Sequence, residues 1–229
     1  HGATSVIAFK EDGYLPEAMI NFLALLGWAF DDKTEIFSRE ELVRHFTLDK
    51  LGHTPGIFSY PKLEWMNGEY IRRTPARELA ERAIPYVEKV LGALDERQRG
   101  QLRTIMPAVQ ERIKKLTDVS SMVDFLFAKE LVYSPDLIVG KGMTVNDARR
   151  ALAGAKSVMA GLSTWDAPSL EAALRPLAGE LGQKPGQFFG SIRVAVTGKT
   201  VSPPLFETLA VLGRDATLHR LEQALAAIS

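Results

Sequence analysis

Apolar residues recur at helical spacing along almost the whole chain, and no segment alternates apolar and polar residues for long enough to predict a sheet. Residues three or four positions apart lie on one face of a helix, so this spacing predicts amphipathic helices. The spacing is clearest after Asp166, where it is followed by Leu170, Ala173, Leu174, Leu177, Ala178 and Leu181. The sequence therefore predicts an all-α protein.

Several segments carry residues that cap a helix at its first turn. Ser38 followed by Glu41 predicts a capping box, in which the hydroxyl accepts a backbone hydrogen bond and the carboxylate accepts another in return. The other predicted caps are Asp95, Thr144 and Asp166.

Interior prolines and one apolar run leave the helical pattern uncertain in places. Pro85, Pro107 and Pro176 fall inside predicted helices, where a proline is expected to bend or break the helix. The run from Ile192 to Val196 fits either a strand or a helix, and the residues alone leave both open.

Composition excludes several classes of protein. The 229 residues include no cysteine, which excludes a disulfide framework and a thiolate metal site. The longest apolar stretch, from Met19 to Phe30, is interrupted by Asn21 and Gly27 and is shorter than the roughly 20 residues that span a membrane. No secretory signal follows His1. We therefore expect a cytoplasmic protein without a membrane partner, and we interpret the chain as part of a longer one.

Catalytic and metal-binding signatures are missing from the sequence. It contains no glycine-rich nucleotide-binding loop, no nucleophile elbow and no zinc-protease motif. The histidines are scattered without ligand spacing, which favours surface or capping roles: they are His1, His45, His53 and His219. The residues therefore predict no catalytic residue and no metal site.

Basic residues cluster in two segments, although the whole chain is balanced at 28 Lys and Arg against 28 Asp and Glu. The first basic segment, residues 97–115, contains Glu111 as its one acid beside Arg97, Arg99, Arg103, Arg112, Lys114 and Lys115. The second basic segment, residues 182–204, has no acid and contains Lys184, Arg193 and Lys199. Such segments fit a polyanion held along a track, or they solubilise helix faces, and charge alone leaves both open.

Aromatic residues lie beside the second basic segment. Phe188, Phe189 and Phe206 could stack with unpaired bases, as aromatic rings next to arginines do in RNA-binding proteins. Phenylalanine also fills helical cores, so both roles stay open.

Long motifs occur in order along the chain: HGATSV, GYLPEAMINFLALLGW, EIFSREELVRHF, FSYPKLEWMNGEYIR, PAVQERIKKL and IRVAVTGKTVSPPLFETLAVLGRDATLHRLEQAL. The first four resemble the stretch that follows the lysine-serine-lysine-arginine signature of bacterial glutamyl-tRNA synthetases. The last two resemble the anticodon-binding end of that family. The resemblance covers essentially all 229 residues.

The resemblance implies a domain order and an activity. A helical stem-contact domain is expected over residues 1–74, followed by two small helical anticodon-binding domains over residues 75–140 and 141–229. The family activates glutamate with ATP and Mg²⁺ in a class I Rossmann-type domain and transfers it to tRNA. Both nucleotide-binding signatures of the family lie upstream of His1, so we expect this chain to be inactive alone and to hold no cofactor. Without that domain, residues 2–12 are expected to be mobile or rearranged.

The resemblance also implies a partner and its contact residues. The expected partner is glutamate tRNA, with no DNA, and the expected state is a monomer. In the family an arginine at the position of Arg112 reads the third anticodon base. The implied anticodon-binding residues are Arg112, Arg193, Ser202, Pro203, Leu205 and Phe206; serine at 202 is often threonine in relatives. The implied contacts to the tRNA backbone and stem are Lys62, Trp65, Arg72, Lys114, Lys115 and Lys199.

The chemistry of Arg112 predicts a base preference. A guanidinium only donates hydrogen bonds, cytosine offers acceptors at N3 and O2, and guanine presents donors at N1 and N2. Arg112 should therefore accept cytosine and repel guanine at the third base, a contact worth about 1–3 kcal/mol by analogy with other base readout. The hypothesis is that the parent enzyme discriminates glutamate tRNA from glutamine tRNA.

An alternative is a stand-alone helical adaptor that inherited these domains and binds protein or another RNA. A protein adaptor would tend to expose a large apolar patch. Binding to RNA would instead weaken steeply with salt.

Overall fold

The computed structural model describes residues 5–52 and 56–228. Within these ranges the secondary structure is helical, apart from one isolated antiparallel bridge between Trp28 and Leu51. The prediction of an all-α protein is confirmed.

The helices have longer connections in the first part of the chain, over residues 26–38 and 46–59, and short connections later; a 3₁₀ turn covers Leu48–Lys50. In chain order they are α1 (Val6–Glu11), α2 (Pro16–Leu25), α3 (Arg39–His45), α4 (Tyr60–Arg73), α5 (Ala76–Leu91), α6 (Glu96–Gln110), α7 (Asp118–Phe127), α8 (Pro135–Val139), α9 (Val145–Ala160), α10 (Ala167–Glu180), α11 (Pro185–Thr197), α12 (Leu205–Leu212) and α13 (Arg214–Ala227).

The predicted caps form as local hydrogen bonds. The Ser38 hydroxyl accepts from the Glu41 N–H at 3.1 Å, and the Glu41 carboxylate accepts from the Ser38 N–H at 2.7 Å. The hydrogen bond from the Ser38 N–H stabilises the charged carboxylate and lowers the pKa of Glu41. Thr144 begins α9 with the same arrangement, and Asp95 and Asp166 each accept from the backbone N–H three residues on.

The interior prolines are expected to bend or break their helices, and the structure excludes a break. The helices α5, α6 and α10 continue past Pro85, Pro107 and Pro176. All three prolines are exposed, so water can reach the carbonyl that lacks its N–H donor. The ambiguous run from Ile192 to Val196 is helical. All of its residues except Arg193 are apolar and buried, because α11 is covered on most of its faces.

One helix ends earlier than its apolar pattern predicts. The pattern extends from Pro16 to Ala29, but α2 ends at Leu25. The Gly27 carbonyl accepts from the Gly52 N–H at 2.7 Å, and this non-local pairing takes the chain out of the helix.

Contacts divide the chain into two compact units: unit 1 is His1–Ala93 with Val109–Ser121, and unit 2 is Leu94–Ala108 with Met122–Ser229. The domain division at residues 74 and 140 stays a prediction.

Unit 1 is built around the packing of α2 on α4. Its main core cluster contains Phe9, Tyr14, Phe22, Leu63 and Met66. Phe9 lies in α1 and is buried in this cluster, so α1 packs against the core of unit 1. The expectation that residues 2–12 are mobile or rearranged stays a prediction. Gly2–Thr4 lie outside the described residues.

Unit 2 is a helical bundle in which α13 packs on α9 and α11, and α10 packs on α9 and α12. Its core includes the fully buried Leu152, Leu174, Phe188, Ile192 and Leu221. This packing holds α11 and α12 in place. The second basic segment, residues 182–204, includes α11 and ends just before α12.

Candidate nucleic-acid interface

The connection from α11 to α12 and the two helices that it joins carry most of the anticodon-binding residues implied by the resemblance: Arg193, Ser202, Pro203, Leu205 and Phe206. Gly198 ends α11 in the left-handed conformation at φ 72°. The Thr197 hydroxyl donates to the Arg193 carbonyl at 2.7 Å and accepts from the Lys199 N–H at 3.2 Å. The connection is therefore tied to the last turn of α11 before it reaches the prolines that precede α12.

Arg193 and Ser202 meet across this connection. Arg193 Nη1 donates to Ser202 Oγ at 2.5 Å and to the Pro203 carbonyl at 2.9 Å. Ser202 is only 2% exposed, and its hydroxyl donates to the Pro203 carbonyl at 2.8 Å. Ser202 thus holds the half-buried guanidinium in place, while its own hydroxyl is covered.

The phenylalanines of this region divide between core and surface. Phe188 is fully buried and belongs to the core. Phe189 packs edge-to-face between Phe188 and Phe206, with ring centroids 5.0 and 5.4 Å away. Phe189 and Phe206 are partly exposed, whereas Pro203 and Leu205 are buried. The surface available to a base therefore consists of Phe189, Phe206 and the exposed part of Arg193.

Lys199 is paired with a carboxylate that the sequence patterns did not single out. Its Nζ lies 2.7 Å from both carboxylate oxygens of Asp124, on α7. Both side chains are about one-third exposed, at 34% and 37%. A phosphate that binds Lys199 has to compete with Asp124.

The first basic segment is divided between the two units. Within unit 2, Arg99 and Arg103 each lie 3.7 Å from a carboxylate oxygen of Glu96. This arrangement matches the role of solubilising a helix face. Arg112, Lys114 and Lys115 belong to unit 1.

The residues 111–117, which connect α6 to α7, form what we call the basic turn. Arg112 is exposed, and its guanidinium makes no hydrogen bond or ion pair with other described residues. Lys114 is exposed and its Nζ is 3.9 Å from Glu64 Oε2. Lys115 Nζ lies 5.8 Å from the centre of the Tyr14 ring. The turn therefore presents three cations, of which Arg112 is available to a ligand.

The implied stem-contact residues lie on α4. Lys62 Nζ lies 2.5 Å from Glu35 Oε1, and Arg72 pairs with Glu69 one turn before it. Trp65 is 40% exposed, which is unusual for a side chain of this size. Lys62 and Arg72 would each have to exchange a carboxylate for a phosphate on binding RNA.

Sequence reasoning missed Arg220, which is 7% exposed. Its guanidinium donates to the carbonyls of Val196, Phe125 and Ala128 at 2.7 to 3.0 Å. These carbonyls lie at the negative ends of α11 and α7, which favour a cation. Burial lowers the pKa of Arg220, and nearby Tyr133 acts in the opposite direction. A signal was present in the sequence, because Arg220 shares the α13 face of the buried Thr217, Leu221 and Ala224.

Two features are absent from the described ranges, 5–52 and 56–228. No group of three or more metal-ligating side chains lies together there. No helix there is long and apolar enough to cross a membrane.

Two family models and several curated proteins match the sequence of this chain. The family model "Anticodon binding domain" matches residues 78–225, and "tRNA synthetases class I (E and Q), catalytic domain" matches residues 2–65. A glutamate–tRNA ligase of Dehalococcoides mccartyi strain 195 is 48% identical, over 100% of this chain and 48% of its own length. A glutamate–tRNA ligase of Roseiflexus castenholzii is 43% identical, over 96% of this chain and 44% of its own length.

Solved structures share the fold. A glutamate tRNA ligase from Elizabethkingia meningosepticum superposes with a TM-score of 0.79 at 22% identity, over 97% of this chain and 43% of that one. A glutamate–tRNA synthetase from Elizabethkingia anophelis gives 0.77 at 23% identity, over 96% and 42%. This chain spans about half the length of the curated relatives it matches. By the family model that covers residues 78–225, the chain belongs to the anticodon-binding domain family, and its curated relatives are glutamate–tRNA ligases.

Proposed function

We propose that the chain is the tRNA-binding part of a glutamate–tRNA ligase and recognises the anticodon loop and inner stem of glutamate tRNA. The observation that carries the proposal is that the anticodon-binding family model spans residues 78–225, which include both basic segments. The resemblance to glutamate–tRNA ligases over the whole chain supports the choice of tRNA.

The second basic segment would read the first two anticodon bases. Arg193 supplies donors in a fixed orientation, because Ser202 and the Pro203 carbonyl hold one of its nitrogens. Phe206 offers a partly exposed ring on which a splayed base can stack. Pro203 and Leu205 are buried and would support these two residues. Lys199 would contact the RNA backbone.

The basic turn would read the third anticodon base and the adjoining backbone. Arg112 faces solvent with its donors available, which suits the acceptors of cytosine and opposes the donors of guanine. Lys114 and Lys115 would supply phosphate contacts, which give affinity without sequence information. The parent enzyme would then discriminate glutamate tRNA from glutamine tRNA.

The test is a salt-dependent binding titration of the 229-residue chain. One RNA is a glutamate-type anticodon stem-loop, and the other is the same stem-loop with guanine as its third anticodon base. Tighter binding to the cytosine form, weakening steeply with salt, is the expected result. No binding to either RNA at low salt would contradict the proposal and favour a protein-binding adaptor.

The α4 residues would face the inner corner of the tRNA rather than its anticodon loop. Lys62→Met and Arg72→Met should therefore weaken binding of whole glutamate tRNA and leave the isolated stem-loop unaffected. Trp65→Ala should behave in the same way, since its exposed ring is available to a ribose or base. An equal loss for both RNAs would argue against this assignment.

The full-length ligase would use ATP and Mg²⁺ to activate glutamate, and we propose that these 229 residues do not. The sequence contains no glycine-rich nucleotide-binding loop. Glutamate-dependent exchange between ATP and pyrophosphate measures the activation step directly, and the chain should show none above background. We also expect it to bind tRNA as a monomer, which the mass of the complex in solution would test.

A further inference from the structure

The backbone of the basic turn is held by a residue far from it in the sequence. Asn67 lies on α4 and is fully buried. Its Nδ2 donates to the Lys114 carbonyl at 2.5 Å, and its Oδ1 accepts from the Leu15 N–H at 2.8 Å. Because the two ends of the amide make different hydrogen bonds, the side chain has one favoured orientation.

The Lys114 peptide group is fixed on its other side as well. Asp118 Oδ2 accepts from the Lys114 N–H at 3.0 Å and from the Lys115 N–H at 2.9 Å. The N–H and the carbonyl of Lys114 are thus both engaged, the first by α7 and the second by α4. This fixes the direction in which the neighbouring side chains leave the turn.

Gly13 makes a second long-range connection to the same turn. Its carbonyl accepts from the Leu116 N–H at 2.9 Å. The φ of Gly13 is 88°, and a Cβ there would lie 2.7 Å from the backbone nitrogens of Leu116 and Thr117. Only glycine allows this approach. The basic turn is therefore held from two distant parts of the chain, by the backbone of Gly13 and by the side chain of Asn67.

We infer that Asn67 is a positioning residue for nucleic-acid recognition by the basic turn. The inference rests on the proposed function, because it requires Arg112 and Lys114 to contact RNA. A turn with an unrestrained peptide group would have to be ordered during binding, which reduces affinity and selectivity. The hydrogen bond from Asn67 orders this peptide group in the free protein, so binding of RNA does not have to order it.

The variant Asn67→Asp tests this with little change of shape. It keeps the oxygen that accepts from Leu15 and replaces the donor with an oxygen that faces the Lys114 carbonyl. Asn67→Ser is a second variant that also loses the bond to Lys114 but introduces no charge, in case the buried carboxylate prevents folding.

Asn21 provides a matched control in the same unit. It is also fully buried; its Nδ2 donates to the Glu35 carbonyl at 3.0 Å, and its Oδ1 accepts from the Phe37 N–H at 2.8 Å. Asn21→Asp therefore loses the same kind of hydrogen bond without touching the basic turn.

Amide hydrogen exchange without RNA gives the first measurement. Asn67→Asp and Asn67→Ser should raise the exchange rate of the Leu116 N–H several-fold, whereas Asn21→Asp should leave it unchanged. If Asn21→Asp raised the Leu116 exchange rate as much as the Asn67 variants do, Asn67 would be a residue of general stability, and the inference would be wrong.

Binding to the cytosine and guanine stem-loops gives the second measurement. Both Asn67 variants should reduce the preference for cytosine several-fold, while Asn21→Asp keeps the wild-type preference. Lowering the pH should restore part of the preference in Asn67→Asp, because a protonated carboxyl can donate to the Lys114 carbonyl again, and burial raises its pKa. No such recovery is expected in Asn67→Ser.

The two proposals fail in different ways. If the wild-type chain prefers cytosine and the Asn67 variants keep that preference, the inference is wrong and the proposed function stands. If the wild-type chain binds neither stem-loop, the proposed function is wrong, and the inference that Asn67 supports recognition is wrong as well.

Discussion

The guanidinium of Arg193 lies 2.5 Å from the hydroxyl of Ser202, a side chain that is almost completely buried. An arginine on a surface loses much side-chain entropy when a ligand fixes it. Because the Ser202 hydroxyl already holds the Arg193 guanidinium in the folded protein, part of this loss of side-chain entropy occurs before a ligand binds. In the proposed function Arg193 would therefore contact the RNA, and Ser202 would act through it.

Replacing Ser202 should test its role of holding Arg193 separately from the role of Arg193 in contacting a ligand. Ser202→Ala removes the oxygen that holds Arg193, and we expect it to weaken binding of the cytosine stem-loop by about 1 kcal/mol, the worth of one hydrogen bond. Ser202→Thr keeps a hydroxyl and should bind nearly as tightly as the wild type. A titration of the three proteins at one salt concentration provides the measurement. Equal binding by the alanine and threonine variants would contradict the role assigned to the hydroxyl.

Arg112 and Lys115 should differ in what they contribute. Arg112→Gln should reduce the preference for cytosine over guanine at the third anticodon base by about 1–3 kcal/mol. Lys115→Met should weaken both stem-loops alike and lower the slope of log affinity against log salt by about one unit. The comparison uses both RNAs over a range of salt. An unchanged base preference in Arg112→Gln would refute its role as a reader.

Asp124 should oppose RNA binding through its ion pair with Lys199. Asp124→Asn removes the charge that competes with phosphate, so we expect tighter binding and a salt slope steeper by about one unit. Lys199→Met should weaken binding, and adding Asp124→Asn to it should then restore little. If Asp124→Asn tightened binding equally with and without Lys199, the effect would come from net charge rather than from this pair.

Tyr70 should make the stability of unit 1 depend on alkaline pH. Its hydroxyl lies 2.6 Å from Asn21 Oδ1 and 2.5 Å from the Phe37 carbonyl oxygen, and shares its proton between them. Burial raises the pKa of Tyr70 to about 12. The unfolded chain releases this proton near pH 10. The stabilising contribution is therefore complete below about pH 10 and is lost as the pH rises toward about 12.

Tyr70→Phe is the variant that isolates this contribution. It should lower the free energy of unfolding at neutral pH by about 1–3 kcal/mol, because the buried Phe37 carbonyl loses this donor and the Asn21 amide oxygen keeps only the Phe37 N–H. The difference between wild type and variant should shrink as the pH rises from about 10 to about 12. Urea unfolding at several pH values measures this difference. The other tyrosines titrate in both proteins, so their contributions to the difference cancel. A difference independent of pH would disprove the assignment.

The helices and their starts could be predicted from the sequence because their causes are local. Ser38, Thr144 and Asp166 each bond to a backbone N–H only three residues away, so the cap and its target are visible together in the sequence. The spacing of apolar residues likewise identifies the buried face of a helix without knowledge of its neighbours. The resemblance names Arg112 and Arg193, both of which lie in the basic segments that the charge pattern identifies, and their roles stay predictions.

The tertiary structure alone decided which of these residues face solvent and which support others. Asn67 is 47 positions from Lys114, and Asp124 is 75 positions from Lys199. No local pattern connects such pairs, because their contact depends on how the helices pack. The resemblance implies Ser202 as an anticodon-binding residue, yet its side chain is buried in unit 2 and contacts Arg193. The sequence by itself determined where helices form and where cations gather; only the packing of those helices determined which cations are held, which are paired and which are open to a ligand.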